Sequence, residues 1–245
     1  MLIQPTLDKL QILKCIGMVK ALEEQMALPK SASLSFEERL GLLVDREITE
    51  RESRKLKSRL KTARLKQSAC VEDIDYRQAR GLDKSQLVAL TSCQWIQRHH
   101  NILMTGPTGV GKSYLACALA HKACRSGYSA LYLRIPRLFE ELSLAKGTGR
   151  YSKLLAALAK TDLLVLDDWG LAPLTDEQRR DFLEIIEDRN HSRSTLITSQ
   201  LPVDHWHKII GDPTLADAIL DRLVHNAYKI NLKGESMRKK RGPLT

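Results

Sequence analysis

The stretch Asn101-Ile102-Leu103-Met104-Thr105, followed at once by Gly106-Pro107-Thr108-Gly109-Val110-Gly111-Lys112-Ser113, decides the fold. Five residues with a short apolar run read as a buried strand. The eight that follow match GxxxxGK[ST], and Tyr114 to Ala120 then carries helix formers and no breaker. A phosphate loop is meaningful in that strand–loop–helix context. Its glycines let several backbone amides turn inward around phosphate oxygens, and the next helix presents its positive end. Lys112 supplies a cation to the β and γ phosphates, and Ser113 a hydroxyl ligand for magnesium. The expected ligands are therefore ATP and Mg2+, held by Gly106, Pro107, Thr108, Gly109, Val110, Gly111, Lys112 and Ser113.

Downstream, the apolar run Leu163-Leu164-Val165-Leu166 ends in Asp167-Asp168. A strand that delivers carboxylates beside a phosphate loop supplies the second half of such a site. Asp167 is expected to hold magnesium through water beside Ser113, and Asp168 to orient or deprotonate the attacking water.

Around these motifs strands alternate with helices. Strands are expected at Asn101–Thr105, Ala130–Ile135, Asp162–Asp168, Thr195–Gln200 and Tyr228–Asn231. Helices are expected at Lys112–Ser126, Pro136–Leu144, Tyr151–Lys160, Asp176–Asn190 and Leu215–His225. The alternation implies an α/β fold with a five-stranded, mostly parallel sheet covered on both faces. Residues 1–70 read as a small all-helical domain, 71–82 as a linker and 83–245 as the ATPase domain. In the first of these, Leu7 to Met26 recur at helical spacing up to Pro29. Ser35 and Glu38 form a capping box, opening a helix expected to turn Leu40, Leu43, Val44 and Ile48 inward. A further helix is expected from Asp83 to about Gln97.

The 245 residues carry a net charge of +10. That excess sits in two places, Arg46–Lys66 and Lys233–Arg241, which points to a polyanionic partner. The five cysteines are scattered and form no CxxC pair, so a disulfide framework or zinc site is not expected and a reducing cytoplasm fits. No run of 18 apolar residues predicts a membrane span.

With these motifs in place, the chain resembles the AAA+ ATPase superfamily from about Gly81 to Arg238. The branch it resembles holds the DnaC helicase loader, the DnaA initiator and the IstB transposition helper. It is most similar to IstB proteins of insertion sequences through Leu163–Pro173, through Ser194–Gln200 with Pro202 and Trp206, and through Leu215–Leu223 with Glu235–Arg238. The resemblance implies further roles. The end of the fourth strand, Thr198-Ser199-Gln200, is similar to the sensor-1 element, with Ser199 and Gln200 both open as its polar group. Arg222 matches an arginine finger that reaches a neighbouring subunit's ATP, and Arg238 matches the sensor-2 arginine. The extra helix of the initiator branch corresponds to Arg134–Arg150, where Arg134, Arg137, Lys146 and Arg150 are candidate DNA contacts; Arg54 and Lys57 in the basic stripe are others. Lys146-Gly147-Thr148-Gly149 is expected to be a flexible loop.

Two departures from the family pattern carry expectations. The acidic strand ends Asp-Asp where most AAA+ proteins have Asp-Glu, a reach shorter by about 1.5 Å, so slow intrinsic hydrolysis is expected. Only seven residues follow Arg238, so the C-terminal lid is expected to be vestigial. The implied function is an ATP-dependent ATPase that assembles as a homo-oligomer on duplex DNA, independent of sequence, and assists an IstA-like partner transposase. The alternative is a helicase loader of the DnaC type. A small-molecule P-loop kinase would need a substrate lid and an arginine-lined acceptor pocket, which the sequence does not offer.

Overall fold

A computed structural model describes residues 3–28, 33–78 and 80–237. The chain divides into two compact units, residues 1–58 and 59–245.

The first unit is helical. Helix α1 (Gln4–Ile12) has Pro5 in its first turn, where a missing amide costs nothing. Helix α2 spans Ile16–Ala27 and α3 Phe36–Ala63. The Leu7–Met26 periodicity reads as one helix, but the chain breaks at Lys14, whose φ is 59°. The break is closed by Lys14 and Cys15 amides bonding Gln11 and Leu10 carbonyls. No glycine or proline marks that stop, so local sequence does not announce it. The Ser35–Glu38 capping box forms in both directions.

The inward face expected for α3 is not the buried one. Leu40, Val44 and Ile48 are exposed, as are Phe36 and Leu42, and the buried residue of this stretch is Glu47. Its Oε2 accepts the amides of Gly17 at 2.6 Å and Met18 at 3.2 Å. Helix α2 has no side-chain cap of its own, so a carboxylate from α3 satisfies its orphan donors. Gly17 makes this approach possible: a Cβ there would lie 2.6 Å from the Arg46 carbonyl and from Glu47 Cα.

The second unit holds the sheet: β1 (Asn101–Thr105), β2 (Ala130–Arg134), β3 (Leu163–Trp169), β4 (Ser194–Ser199) and β5 (Ala227–Asn231). Their order is β2-β3-β4-β1-β5 and every pairing is parallel. The crossovers carry α6 (Lys112–Arg125), α7 (Ile135–Gly147), α8 (Tyr151–Lys160), α9 (Asp176–Arg189), α10 (Trp206–Ile210) and α11 (Pro213–Val224). The α/β class, the five strands and the helical order expected from sequence are found. Strands β1 and β4 are buried along their whole length, as strands covered on both faces must be.

Local differences have local causes. The helix expected over residues 83–97 is two, α4 (Lys84–Leu90) and α5 (Gln94–Gln97). Between them the hydroxyls of Thr91 and Ser92 bond back to Val88 and Ala89 carbonyls, and Cys93 turns left-handed at φ 57°. The loop expected at 146–149 is instead the end of α7 and a tight turn, closed by the Arg150 amide on the Ala145 carbonyl. Strand β3 runs one residue further than expected, to Trp169, which is fully buried and stacks on Phe182 at 4.5 Å. Among the described residues no helix is long and apolar enough to cross a membrane.

Candidate nucleotide-binding site

Strand β1 ends at Thr105 in the middle of the sheet, with β4 on one side and β5 on the other. The chain then enters the glycine loop and rises into α6. Gly106, Gly109 and Gly111 have φ of 142°, 87° and 99°, a backbone that L side chains rarely adopt. Space is as tight as conformation. A Cβ on Gly106 would meet the Leu232 carbonyl at 2.2 Å, and one on Gly109 the Ser236 hydroxyl at 2.1 Å. The Leu232 amide bonds Thr105 and the Met237 amide bonds Gly109, so residues 232–237 hold one flank of the loop. Arg80, itself buried, holds another: its guanidinium donates to the Val110 carbonyl at 3.1 Å and to the Asp75 carbonyl at 3.1 Å.

Lys112 lies in the first turn of α6. Its ammonium donates to the carbonyls of Gly106 at 2.7 Å and Pro107 at 2.8 Å, and burial lowers its pKa against the opposing pull of Asp167 and Asp168. Ser113 Oγ lies 2.9 Å and 3.0 Å from the two Asp167 oxygens. The hydroxyl and carboxylate expected at a magnesium site are thus together.

Asp167 is fully buried. Besides Ser113, it accepts from the hydroxyls of Tyr132 and Thr198, and Lys66 Nζ stands 3.5 Å away. Burial pushes its pKa up, but the hydroxyls of Thr198, Tyr132 and Ser113 outweigh burial and hold it below the ordinary carboxylate value. Tyr132 comes from β2 and Thr198 from β4, the strands flanking β3.

Asp168 follows with φ 65°, at an irregularity where the β3–β4 register slips between Leu166 and Trp169. Its amide donates to Thr198 Oγ1 at 3.3 Å, and its carboxylate pairs with Arg134 at 2.9 Å. A left-handed aspartate inside a strand is a strained position, held by the strand around it. Asp168 lines the cleft, while Asp167 is fully buried against Ser113, which also lines it.

The cleft has a volume of about 620 Å3, and Thr108, Lys112, Ser113, Asp168 and Gln200 line it together with Arg80. The two sensor-1 candidates are placed differently. Gln200 Oε1 accepts from the Thr108 hydroxyl of the glycine loop at 2.7 Å, whereas Ser199 is buried and bonds the Trp169 carbonyl. The oxygen set Ser113 and Asp167 suits a hard divalent cation that keeps several waters and takes its other ligands from phosphate. The residues present therefore fit Mg2+ with a nucleoside triphosphate.

Other candidates lie elsewhere. Arg222, on α11, pairs with Glu187 of α9 and donates to the Ala218 carbonyl at 2.8 Å; it does not line the cleft. Arg137 and Arg150 are exposed on α7 and before α8. Lys146 is engaged by Asp181 at 2.6 Å and Glu177 at 2.8 Å. Arg54 and Lys57 are exposed on α3, Arg54 at 3.6 Å from Glu47. Arg238 lies outside the described residues. Sequence reasoning missed Tyr132, Lys66 and Arg80, and named Thr198 only within the sensor-1 stretch, not as a partner of Asp167. Thr198 carried a signal, as a hydroxyl near the end of an apolar strand; Lys66 and Arg80 carried none beyond their charge.

Comparison with known proteins agrees with this geometry. The family model described as IstB-like ATP binding protein matches residues 8–243. An insertion sequence ATP-binding protein of Sinorhizobium fredii, y4pL, is 56% identical over 239 residues, covering 98% of each chain. The insertion sequence IS21 ATP-binding protein of Pseudomonas aeruginosa is 35% identical over 231 residues, covering 93% of this chain and 86% of its own. Among solved structures, DnaI superposes with a TM-score of 0.59 at 22% identity, over 67% of this chain and 90% of that one. The DnaC helicase loader superposes with a TM-score of 0.55 at 20% identity, over 67% and 97%. These structural likenesses show a fold shared with DnaI and the DnaC helicase loader over about two thirds of the chain.

Proposed function

This chain belongs to the IstB-like ATP binding protein family, and from that premise we propose that it is an ATPase whose Mg2+·ATP-bound form assembles on duplex DNA and assists a separate transposase. The observation that carries the ATP reading is the cluster of Lys112, Ser113 and Asp167 beneath a loop whose three glycines have no room for a Cβ.

Each residue has a role in this reading. The amides of residues 106–113 and Lys112 bind the phosphates. Ser113 and Asp167 would hold Mg2+, which when bound would supply positive charge against the transferring phosphoryl group. Asp167 is kept ionised by its three hydroxyl partners, so it stays a ligand throughout the neutral range. Asp168 accepts the proton of a water that attacks the γ-phosphorus while the bond to the β–γ bridging oxygen breaks, releasing ADP and phosphate. The Arg134 pairing and the short aspartate support a slow basal rate. Gln200 reads the γ-phosphate from beside Thr108.

Assembly draws on Arg222 from a neighbouring copy, with the sensor-2 role on Arg238. Duplex DNA is held through its backbone by Arg54, Lys57, Arg134, Arg137, Lys146 and Arg150. The exposed Phe36, Leu40, Val44 and Ile48 support self-association of the first unit. The partner is an IstA-like transposase.

Calorimetry with Mg2+·ATP tests the core of this. The wild-type chain is expected to bind and Lys112→Ala to show no heat; equal heats from the two sink the ATP reading. Electron microscopy with duplex DNA tests assembly. Oligomers are expected with ATP and not without, and Arg222→Ala is expected to keep nucleotide binding but lose them. DNA affinity is expected to fall steeply with salt; a flat dependence contradicts backbone binding. Capture of a replicative helicase in place of a transposase would favour a helicase loader.

A further inference from the structure

Asp167 has one neighbour that the reading above does not use. Three of its partners, Ser113, Tyr132 and Thr198, are uncharged hydroxyls. The fourth is the ammonium of Lys66, 3.5 Å from Oδ2. Lys66 is not there through its own helix. Helix α3 ends at Ala63, and Arg64 turns left-handed at φ 50°. Just upstream, Arg59 donates to the Cys124 carbonyl of α6 at 3.4 Å, and Ala63 is fully buried. The segment therefore leaves a helix end that is held to the helix following the glycine loop. Lys66 and Gln67 line the same cleft as Lys112, Ser113 and Asp168.

The charges at this point conflict. Asp167 carries one negative charge, and both Lys66 and a divalent cation seek it. A dication coordinated beside Ser113 and Asp167 repels an ammonium 3.5 Å from the same carboxylate, and little water separates them because Asp167 is fully buried. The Lys66 side chain is 41% exposed, so it can leave toward solvent at little cost.

We propose that Lys66 and the divalent cation compete for Asp167, so that this lysine sets how strongly ATP binding depends on the metal. The proposal rests on the reading of the cleft as an Mg2+·ATP site. With metal present, Lys66 is displaced from Asp167. Without metal, it remains and supplies positive charge near the phosphates. Its presence therefore weakens metal-bound nucleotide relative to metal-free nucleotide.

The measurement is the ratio of two affinities for a fluorescent N-methylanthraniloyl ATP, on the full chain, one with saturating magnesium and one with EDTA. Lys66→Met removes the charge and keeps the length, and is expected to raise the magnesium-to-EDTA affinity ratio about fivefold, the scale of one partly screened charge pair. Lys66→Gln is expected to do the same, and Lys66→Arg to keep the wild-type ratio. An unchanged ratio in Lys66→Met overturns the proposal. That includes the case in which both affinities fall together, which would make Lys66 a plain phosphate ligand. If the wild-type chain binds no nucleotide with or without magnesium, the ATP reading itself fails. Binding with a ratio indifferent to Lys66 sinks only the competition.

Discussion

The nucleotide unit and the N-terminal helical unit each bury a carboxylate, and they do so in opposite ways. Asp167 sits under a complete shell of hydroxyls drawn from two neighbouring strands and α6. Glu47 sits alone in a small helical contact, with the amides of Gly17 and Met18 on one oxygen and Arg51 at 2.6 Å on the other. The first arrangement organises a site for charged ligands. The second replaces a missing helix cap. Glycine separates the units in the same way. In the core, Gly106 and Gly109 answer both to φ and to space; in the helical unit, Gly17 answers to space alone. A buried polar group is thus a functional pointer only when its surroundings have capacity beyond satisfying the backbone.

The comparison can be broken most forcefully at Gly106. Gly106→Ala forces a Cβ to 2.2 Å from the Leu232 carbonyl at a φ of 142°. It is expected to cost about 3 kcal/mol or more and to abolish ATP binding, read by thermal melting and calorimetry. Near-wild-type behaviour would mean that the loop is not the rigid element described. Gly17→Ala is next. With backbone at 2.6 Å it must part α2 from α3, for about 2 kcal/mol, seen as loss of helicity in the first unit. ATP affinity of the second unit is expected to stay within twofold, and a larger change would tie together regions contrasted here.

Glu47→Gln is expected to cost about 1–2 kcal/mol, because two amides and Arg51 lose a charged partner. The same contact has a pH signature. Burial raises the pKa of Glu47, but Arg51 and the two amides bring it below its ordinary 4.5. A depressed folded value stabilises at pH above the ordinary value and fades as pH falls through the folded one. Helicity of the first unit is therefore expected to be flat from pH 7 to about 5 and to weaken below 4.5. Glu47→Gln should flatten that acid limb. The smallest effect has the opposite sign. Gly41 has open space around it inside α3, and Gly41→Ala is expected to stabilise that helix by about 0.5–1 kcal/mol, measured by chemical denaturation.

How much of this was legible divides along the same line. The phosphate loop, Asp167 and the strand–helix alternation were readable because each is a local pattern. Strand β1, for example, matches its expected bounds to the residue. The shell of Asp167 was not readable, because Tyr132 and Thr198 meet it through strand order and register. Asp168 shows the limit well: an Asp-Asp pair in a strand does not disclose the register slip or the left-handed backbone at its second residue. In the helical unit, spacing gave helices but chose the wrong buried face for α3. A carboxylate there is buried by its amide partners, and hydrophobic periodicity does not register that kind of attraction.

The all-parallel sheet sets a timetable for biosynthesis. Strand β1 leaves the ribosome with neither of its partners yet made, since β4 begins at Ser194 and β5 ends at Asn231. No hairpin can shelter it meanwhile, so this interior strand waits for most of the message to be read. A transcript truncated before β4 would yield a polypeptide with two open apolar edges at its centre, a substrate for chaperones and proteases before it could ever meet a nucleotide.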